Sequence, residues 1–261
     1  MDHRIGSALY RAAAIAVLAF LVLPIAIVIV MSFSDARYLR FPPTGFSLRW
    51  YESYLGDRDW RAATWTSLVV ALTTTLIAVP LGTAAAYAAH LSTARASRAF
   101  QVVLLSPMIV PIIITAAGLY MVYARIGLLA TYAGLILAYV TLNVPYVFVA
   151  VLAGLKSFDL NQEAVARSLG VNRFQAFMKV TLPQIRGSVF TGALFAFIGA
   201  LDETVVALFI SAGSSETLPK RMFVSLMNEI DPTIAAISSL LITAAFAIVV
   251  ALRFSRQTTP G

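Results

Sequence analysis

The sequence predicts an all-α, polytopic membrane protein with six transmembrane helices, and three observations carry that expectation. Of its 261 residues 60% are apolar and only 12% charged, with a mean hydropathy of +0.85, whereas soluble domains carry roughly 25% charged residues. The apolar residues gather into uncharged runs that reach the ~20 residues a spanning helix requires. Hydrocarbon offers no water to unpaired backbone groups and an open sheet would leave its edges unsatisfied, so each run must be helical.

The same composition excludes several function classes. There is no cysteine, and with it go disulfides, thiolate nucleophiles and Cys-ligated metals. The net charge of +7 comes from 19 Lys and Arg against 12 Asp and Glu, but these cations are scattered between apolar runs and build no basic face, which argues against nucleic acid as a partner. Membrane lipid is the partner the composition demands. His3 and His90 stand alone near predicted helix ends, so no metal site is expected.

The first span is the run of 23 uncharged residues between Arg11 and Asp35, too long for the apolar region of a cleavable signal peptide. The second uncharged stretch, 62–94, exceeds one span, and its helix is placed at 67–89 with Trp60 and Trp65 in the outer aromatic belt. The third run, 99–124, and the fourth, 126–155, are separated only by Arg125, with Gly127 beside it, which reads as a tight hairpin. A fifth run covers 187–210, interrupted only by Asp202 and Glu203, and a sixth covers 233–252. Pro24, Pro80, Pro107, Pro111 and Pro145 mark expected kinks. Six spans put both termini on one side. Lys and Arg are slightly more numerous in the segments that would then be cytoplasmic, a weak signal because the first outer loop also holds Arg37, Arg40, Arg49, Arg58 and Arg61. With no repeat and no long soluble segment, the chain reads as one membrane domain, 1–261, containing one polar loop at 156–186.

That loop is patterned. In NQEAVARSLGVNRFQAFMKVTLPQIR, residues 161–186, the apolar positions Ala164, Val165 and Leu169, then Phe174, Phe177 and Met178, fall at helical spacing on either side of Gly170. Two short amphipathic helices joined at a left-handed glycine are expected, the second stopped by Leu182-Pro183. An exposed apolar face on such a pair wants a partner protein or, alternatively, the bilayer surface.

The segment resembles the EAA loop of ABC importer permeases, whose pattern is E-A-A, three residues, G, nine residues, I, one residue, L-P. Gly170, Leu182 and Pro183 match at the required spacing and Val180 occupies the isoleucine position. The glutamate position holds Ala164, while Glu163 lies one place earlier. The resemblance implies the type I ABC importer permease fold and a coupling role for the loop, with Glu163, Ala164, Gly170, Phe174, Phe177, Leu182 and Pro183 as its ATPase-coupling residues. The partners it implies are two ATP-binding cassette ATPase subunits, a second homologous permease subunit and an extracytoplasmic solute-binding protein. The implied location is the bacterial inner membrane, with both termini cytoplasmic. The chain has no G-x-x-x-x-G-K-[ST] phosphate loop, since none of Lys156, Lys179 and Lys220 follows a glycine. It is therefore expected to be a transporter subunit without enzymatic activity or bound cofactor, ATP being used by the partner ATPase.

Asp202 and Glu203 are the candidate substrate-binding residues. A charge deep in an apolar run costs roughly 2.5–3.5 kcal/mol on insertion scales and normally faces a cavity or a partner, and no basic residue lies within the other runs to pair with them. On one continuous helix their side chains would diverge by about 100°, so one should face the pathway more directly. The run 195–209 and the E-T-L-P at 216–219 resemble the spermidine/putrescine branch of these permeases, with Ala200 replacing the serine of its S-L-D-[DE] signature. A polyamine or related organic cation is the implied solute; an opine, an aminophosphonate or another small solute is the alternative within the family. Proton-coupled secondary transport and an ion channel are the readings from other classes, and the loop pattern argues against both. Gly192, Ala196 and Ala200, four residues apart, read as a helix-packing stripe. Asn143, two residues before Pro145, could bind substrate, but reads more readily as repair of the hydrogen bond the proline frees. Tyr87, Tyr120, Tyr139 and Tyr146 could offer aromatic faces to a cation, but tyrosines near helix ends are more often interfacial anchors, the reading favoured for each of them.

Overall fold

The computed structural model of the chain describes residues 2–38, 40–92, 94–228 and 232–257, with side chains described between 10 and 247. His3 falls outside the described side chains, and the expected sixth span, 233–252, is described in its side chains only to 247. The described residues are mostly helical and contain no β-strand, only an isolated bridge between Ser34 and Phe46. They form two compact units, one joining 1–61 to 222–261 and one running over 62–221.

In the first unit α1 (Asp2–Ser32) continues through Pro24, and α12 (Thr233–Gln257) packs against it. The short α2 (Arg49–Gly56), which also lies on α12, is fixed by polar contacts. Tyr51 Oη and Ser32 Oγ share a hydrogen bond of 2.6 Å, and the indole of Trp50 donates to the Ser34 carbonyl at 2.8 Å. Asp57 then starts α3 (Arg58–Leu91), its carboxylate accepting from the amides of Asp59 and Trp60. Of the two tryptophans assigned to the aromatic belt, Trp65 is 67% exposed, but Trp60 is buried and is no lipid-facing anchor.

The second unit departs from the expected single third span. The run 99–124 is broken into α4 (Arg95–Leu105), a 3₁₀ turn (Ser106–Met108) and α5 (Ile112–Ile126), with a bend of 98°. Pro107 opens that turn and Pro111 precedes α5; with no N–H to donate and a ring that pushes the preceding residue out of helix, two prolines four residues apart stop the helix. Within α3 and α6 (Tyr132–Lys156), by contrast, single prolines at 80 and 145 leave the helix continuous. The hairpin before α6 is as expected. Gly127 closes α5 in the left-handed region at φ +71°, and Thr131 caps α6 by accepting from the Gly134 amide at 3.0 Å.

Helix α6 is the axis of this unit and packs along α9 (Leu182–Asp202). Gly192, Ala196 and Ala200 are buried on α9, as the packing stripe requires. A Cβ on Gly192 would sit 3.1 Å from Val147 Cα, so glycine is what lets the two backbones approach. Among the described residues, four helices are long and apolar enough to cross a membrane, the bent α4–α5 pair is a fifth candidate, and the described part of α12 is a shorter apolar helix.

Candidate functional site

The polar loop folds as two helical pieces around a glycine, with one correction. Asp159 caps α7 (Leu160–Ser168) by accepting from the Asn161 amide at 3.0 Å, and Asn172 caps α8 (Arg173–Ala176) by accepting from Gln175 at 2.9 Å. Between them Gly170 takes φ +91°, the left-handed turn expected of it. Leu182-Pro183, however, does not end the second piece. From α8 the helix passes through a π-turn (Phe177–Thr181) directly into α9, giving one helical rod over Arg173–Asp202. In the π-turn the Leu182 amide reaches back to the Phe177 carbonyl, five residues away. This widened turn accommodates the following proline, whose ring and missing N–H an ordinary helical turn would resist.

Ala164, Gly170, Phe174 and Pro183 are exposed, while Phe177 and Leu182 are half-buried. With Val165, Leu169 and Met178, they leave the loop an open apolar face: Leu169 is 80% exposed and Phe174 72%. A surface this apolar on a polar segment is what a docking face requires.

Glu163 is different. Its side chain is 3% exposed. Its carboxylate accepts from Tyr87 Oη on α3 at 2.5 Å and from Thr181 Oγ1 on the π-turn at 2.8 Å. The Tyr87 ring packs on Phe177 with centroids 4.6 Å apart. Neither Tyr87 nor Thr181 was marked by the loop pattern, because nothing in its period reports a contact with a helix 76 residues away in sequence.

The two carboxylates of the fifth run are also rearranged. Asp202 is the last residue of α9, Glu203 leaves the helix at φ −69° and ψ 108°, and α10 (Val205–Ile210) starts afresh. The run 187–210 is thus a broken helix, and the 100° separation expected for one continuous helix does not apply. Glu203 is half-buried and its Oε1 accepts from the Val206 amide at 2.9 Å, capping α10, while its carbonyl accepts from Tyr139 Oη at 3.0 Å. Asp202 is exposed. The physical cause of the break lies in this competition: a carboxylate that satisfies the next helix's first amides, together with a buried tyrosine that holds the carbonyl, replaces the bonds a continuous helix would make.

Behind the break lies Asn143, buried on α6. Its Nδ2 donates to the Tyr139 carbonyl at 2.8 Å, whereas the carbonyl deprived by Pro145 is that of Thr141, four residues before it. The repair role is therefore not what its geometry serves. Asn143 Oδ1 lies 2.4 Å from where a Cβ on Gly199 would be, so it seats against the α9 backbone. Tyr87 and Tyr139 are engaged in hydrogen bonds; Tyr120 and Tyr146 remain 46% and 43% exposed.

Beyond α10 the chain makes a 3₁₀ turn (Gly213–Ser215) and enters α11 (Leu218–Asn228). Glu216 of the E-T-L-P segment pairs with Arg221 at 3.1 Å, and Lys220 donates to the Ser211 carbonyl. Burial pushes the Lys220 ammonium below its usual range, and Glu216 opposes that shift.

Comparison with known proteins places this arrangement. Residues 78–258 match the family described as binding-protein-dependent transport system inner membrane component. The spermidine/putrescine transport system permease protein PotC of Haemophilus influenzae is 31% identical over 90% of this chain and 91% of its own. The putrescine transport system permease protein PotI of Escherichia coli K12 is 30% identical over 86% and 82%. Among solved structures, the bacterial alginate ABC transporter in complex with its alginate pentasaccharide-bound periplasmic protein contains a chain that superimposes with a TM-score of 0.73 at 16% identity, covering 98% of this chain and 96% of that one. The likeness extends over nearly the whole fold, and the relatives are permease proteins, so this chain works in transport and not in catalysis. It belongs to the inner-membrane components of binding-protein-dependent transport systems.

Proposed function

We propose that this chain is one of two permease subunits of an ATP-driven importer for polyamines such as spermidine and putrescine, or a closely related organic cation. An extracytoplasmic binding protein delivers the solute, two ATP-binding cassette ATPase subunits engage the 156–186 loop, and the permease pair alternates between outward- and inward-open states. The termini and the loop are cytoplasmic. This chain binds no cofactor of its own, and ATP is consumed by the ATPases.

The observation that carries the reading is the unbroken rod Arg173–Asp202. At 1.5 Å per residue its 30 residues span about 45 Å. One end lies in the exposed apolar loop and the other ends at the exposed carboxylate of Asp202. A push on the loop is thereby delivered to the residues beside the α9–α10 break without a flexible joint. A cation crossing there loses hydration, and a carboxylate offsets that cost. The polyamine assignment is further supported by the solutes for which the two related permeases are named, spermidine and putrescine.

The test is uptake of labelled putrescine by the assembled complex in proteoliposomes, with spermidine, an opine and an aminophosphonate as competitors. ATP-dependent uptake blocked by spermidine supports the reading. Uptake blocked only by an opine or aminophosphonate moves the solute to that class.

A further inference from the structure

We propose that Glu163 is a buried positioning residue that ties the coupling loop to α3 through Tyr87, so that loop movement reaches α3 as well as the α9 rod. The inference rests on the coupling role proposed for the loop and adds a second route of transmission. Three elements converge on one carboxylate: α7 supplies Glu163, the π-turn supplies Thr181 and α3 supplies Tyr87. At 3% exposure Glu163 has no surface to offer an ATPase. Its two hydroxyl donors are what keep the buried acceptor satisfied; withdrawing either leaves a desolvated carboxylate short of a partner. The loop therefore cannot move independently of α3 without incurring that penalty. Phe177, on the same π-turn, packs on the Tyr87 ring. The tether sits one residue before the position at which the loop pattern places its glutamate, where this chain has the exposed Ala164.

The absence of cysteine makes a direct test practicable. A bimane fluorophore is placed in the complete reconstituted complex on Trp65→Cys, which reports α3, or on Phe195→Cys, which reports α9; both positions are exposed. The readout is the fluorescence change on adding ATP and vanadate. Tyr87→Phe keeps the ring and its packing on Phe177 while removing the hydroxyl; Thr181→Val removes the other donor. The expected result is a several-fold loss of the ATP response at position 65 in either variant, with the response at 195 and the amount of copurified ATPase retained. The double variant should be no worse than Tyr87→Phe alone, because Thr181 acts by holding the carboxylate whose bond to Tyr87 is the tie to α3. An undiminished response at 65, an equal loss at both positions, or loss of ATPase association overturns the proposal. If neither reporter responds to ATP in the unsubstituted complex, the coupling reading itself fails and the tether falls with it.

Discussion

Asp202 and Glu203 are adjacent, yet the helix break gives them separate tasks. Glu203 Oε1 is engaged by the Val206 amide, whereas Asp202 is exposed at the end of α9. Asp202→Asn removes charge without removing a cap, so cation uptake should fall while expression and assembly stay normal. Glu203→Gln keeps an acceptor for Val206, but Glu203→Ala should also cost about 0.5–2 kcal/mol of stability, the usual magnitude for loss of a helix cap. Labelled putrescine uptake and thermal stability of the purified complex separate these outcomes; unchanged uptake in Asp202→Asn and Glu203→Gln would remove both carboxylates from the pathway. At Gly170 the φ of +91° disfavours any β-branched residue. Gly170→Val should strain the turn by roughly 1–3 kcal/mol and reduce uptake per ATP hydrolysed, with insertion unaffected. A Gly170→Val complex with normal coupling would count against the loop as the transmitting element. The glycine was legible because few residues adopt its conformation. The capping role of Glu203 was hidden, since no glycine or proline marks the break at 203–204.

Helix by helix, legibility followed the strength of the local signal. The α5–α6 hairpin and the α9 packing stripe were readable because Gly127 and the Gly192, Ala196, Ala200 spacing each have few alternative uses. The bend between α4 and α5 was readable in place, from Pro107 and Pro111, but not in degree, because a single proline in a membrane helix can leave it continuous, as at 80 and 145. Pro183 misled in the opposite sense: read as a stop, it lies inside a rod whose π-turn makes room for it. The close packing of α6 on α9 makes a firm prediction. Ala196 is fully buried, so Ala196→Leu forces about three extra carbons between the helices and should destabilise the protein by about 1–3 kcal/mol, as overpacking usually does. The measurement is the thermal inactivation midpoint in detergent, with the same substitution at exposed Phe195 expected to change little.

For the molecule as a whole, apolar composition already declared a membrane protein, and the loop spacing pointed to its family before any contact was known. The sidedness was the weakest inference, because the cations of the first outer loop leave the candidate inner segments only slightly ahead. Single reporter cysteines decide it: with an impermeant thiol reagent outside intact cells, Gly56→Cys should react and Gln175→Cys should be shielded, both positions being exposed on the protein. The reverse pattern would invert the topology and remove the loop from the ATPase side. The most direct test of the central claim is the energy source for uptake. In proteoliposomes holding the complete complex and its binding protein, labelled putrescine should accumulate when ATP is supplied on the ATPase side, and a proton gradient alone should drive none. Accumulation driven by the proton gradient without ATP, from a chain that copurifies with no ATP-binding subunit, would contradict the account.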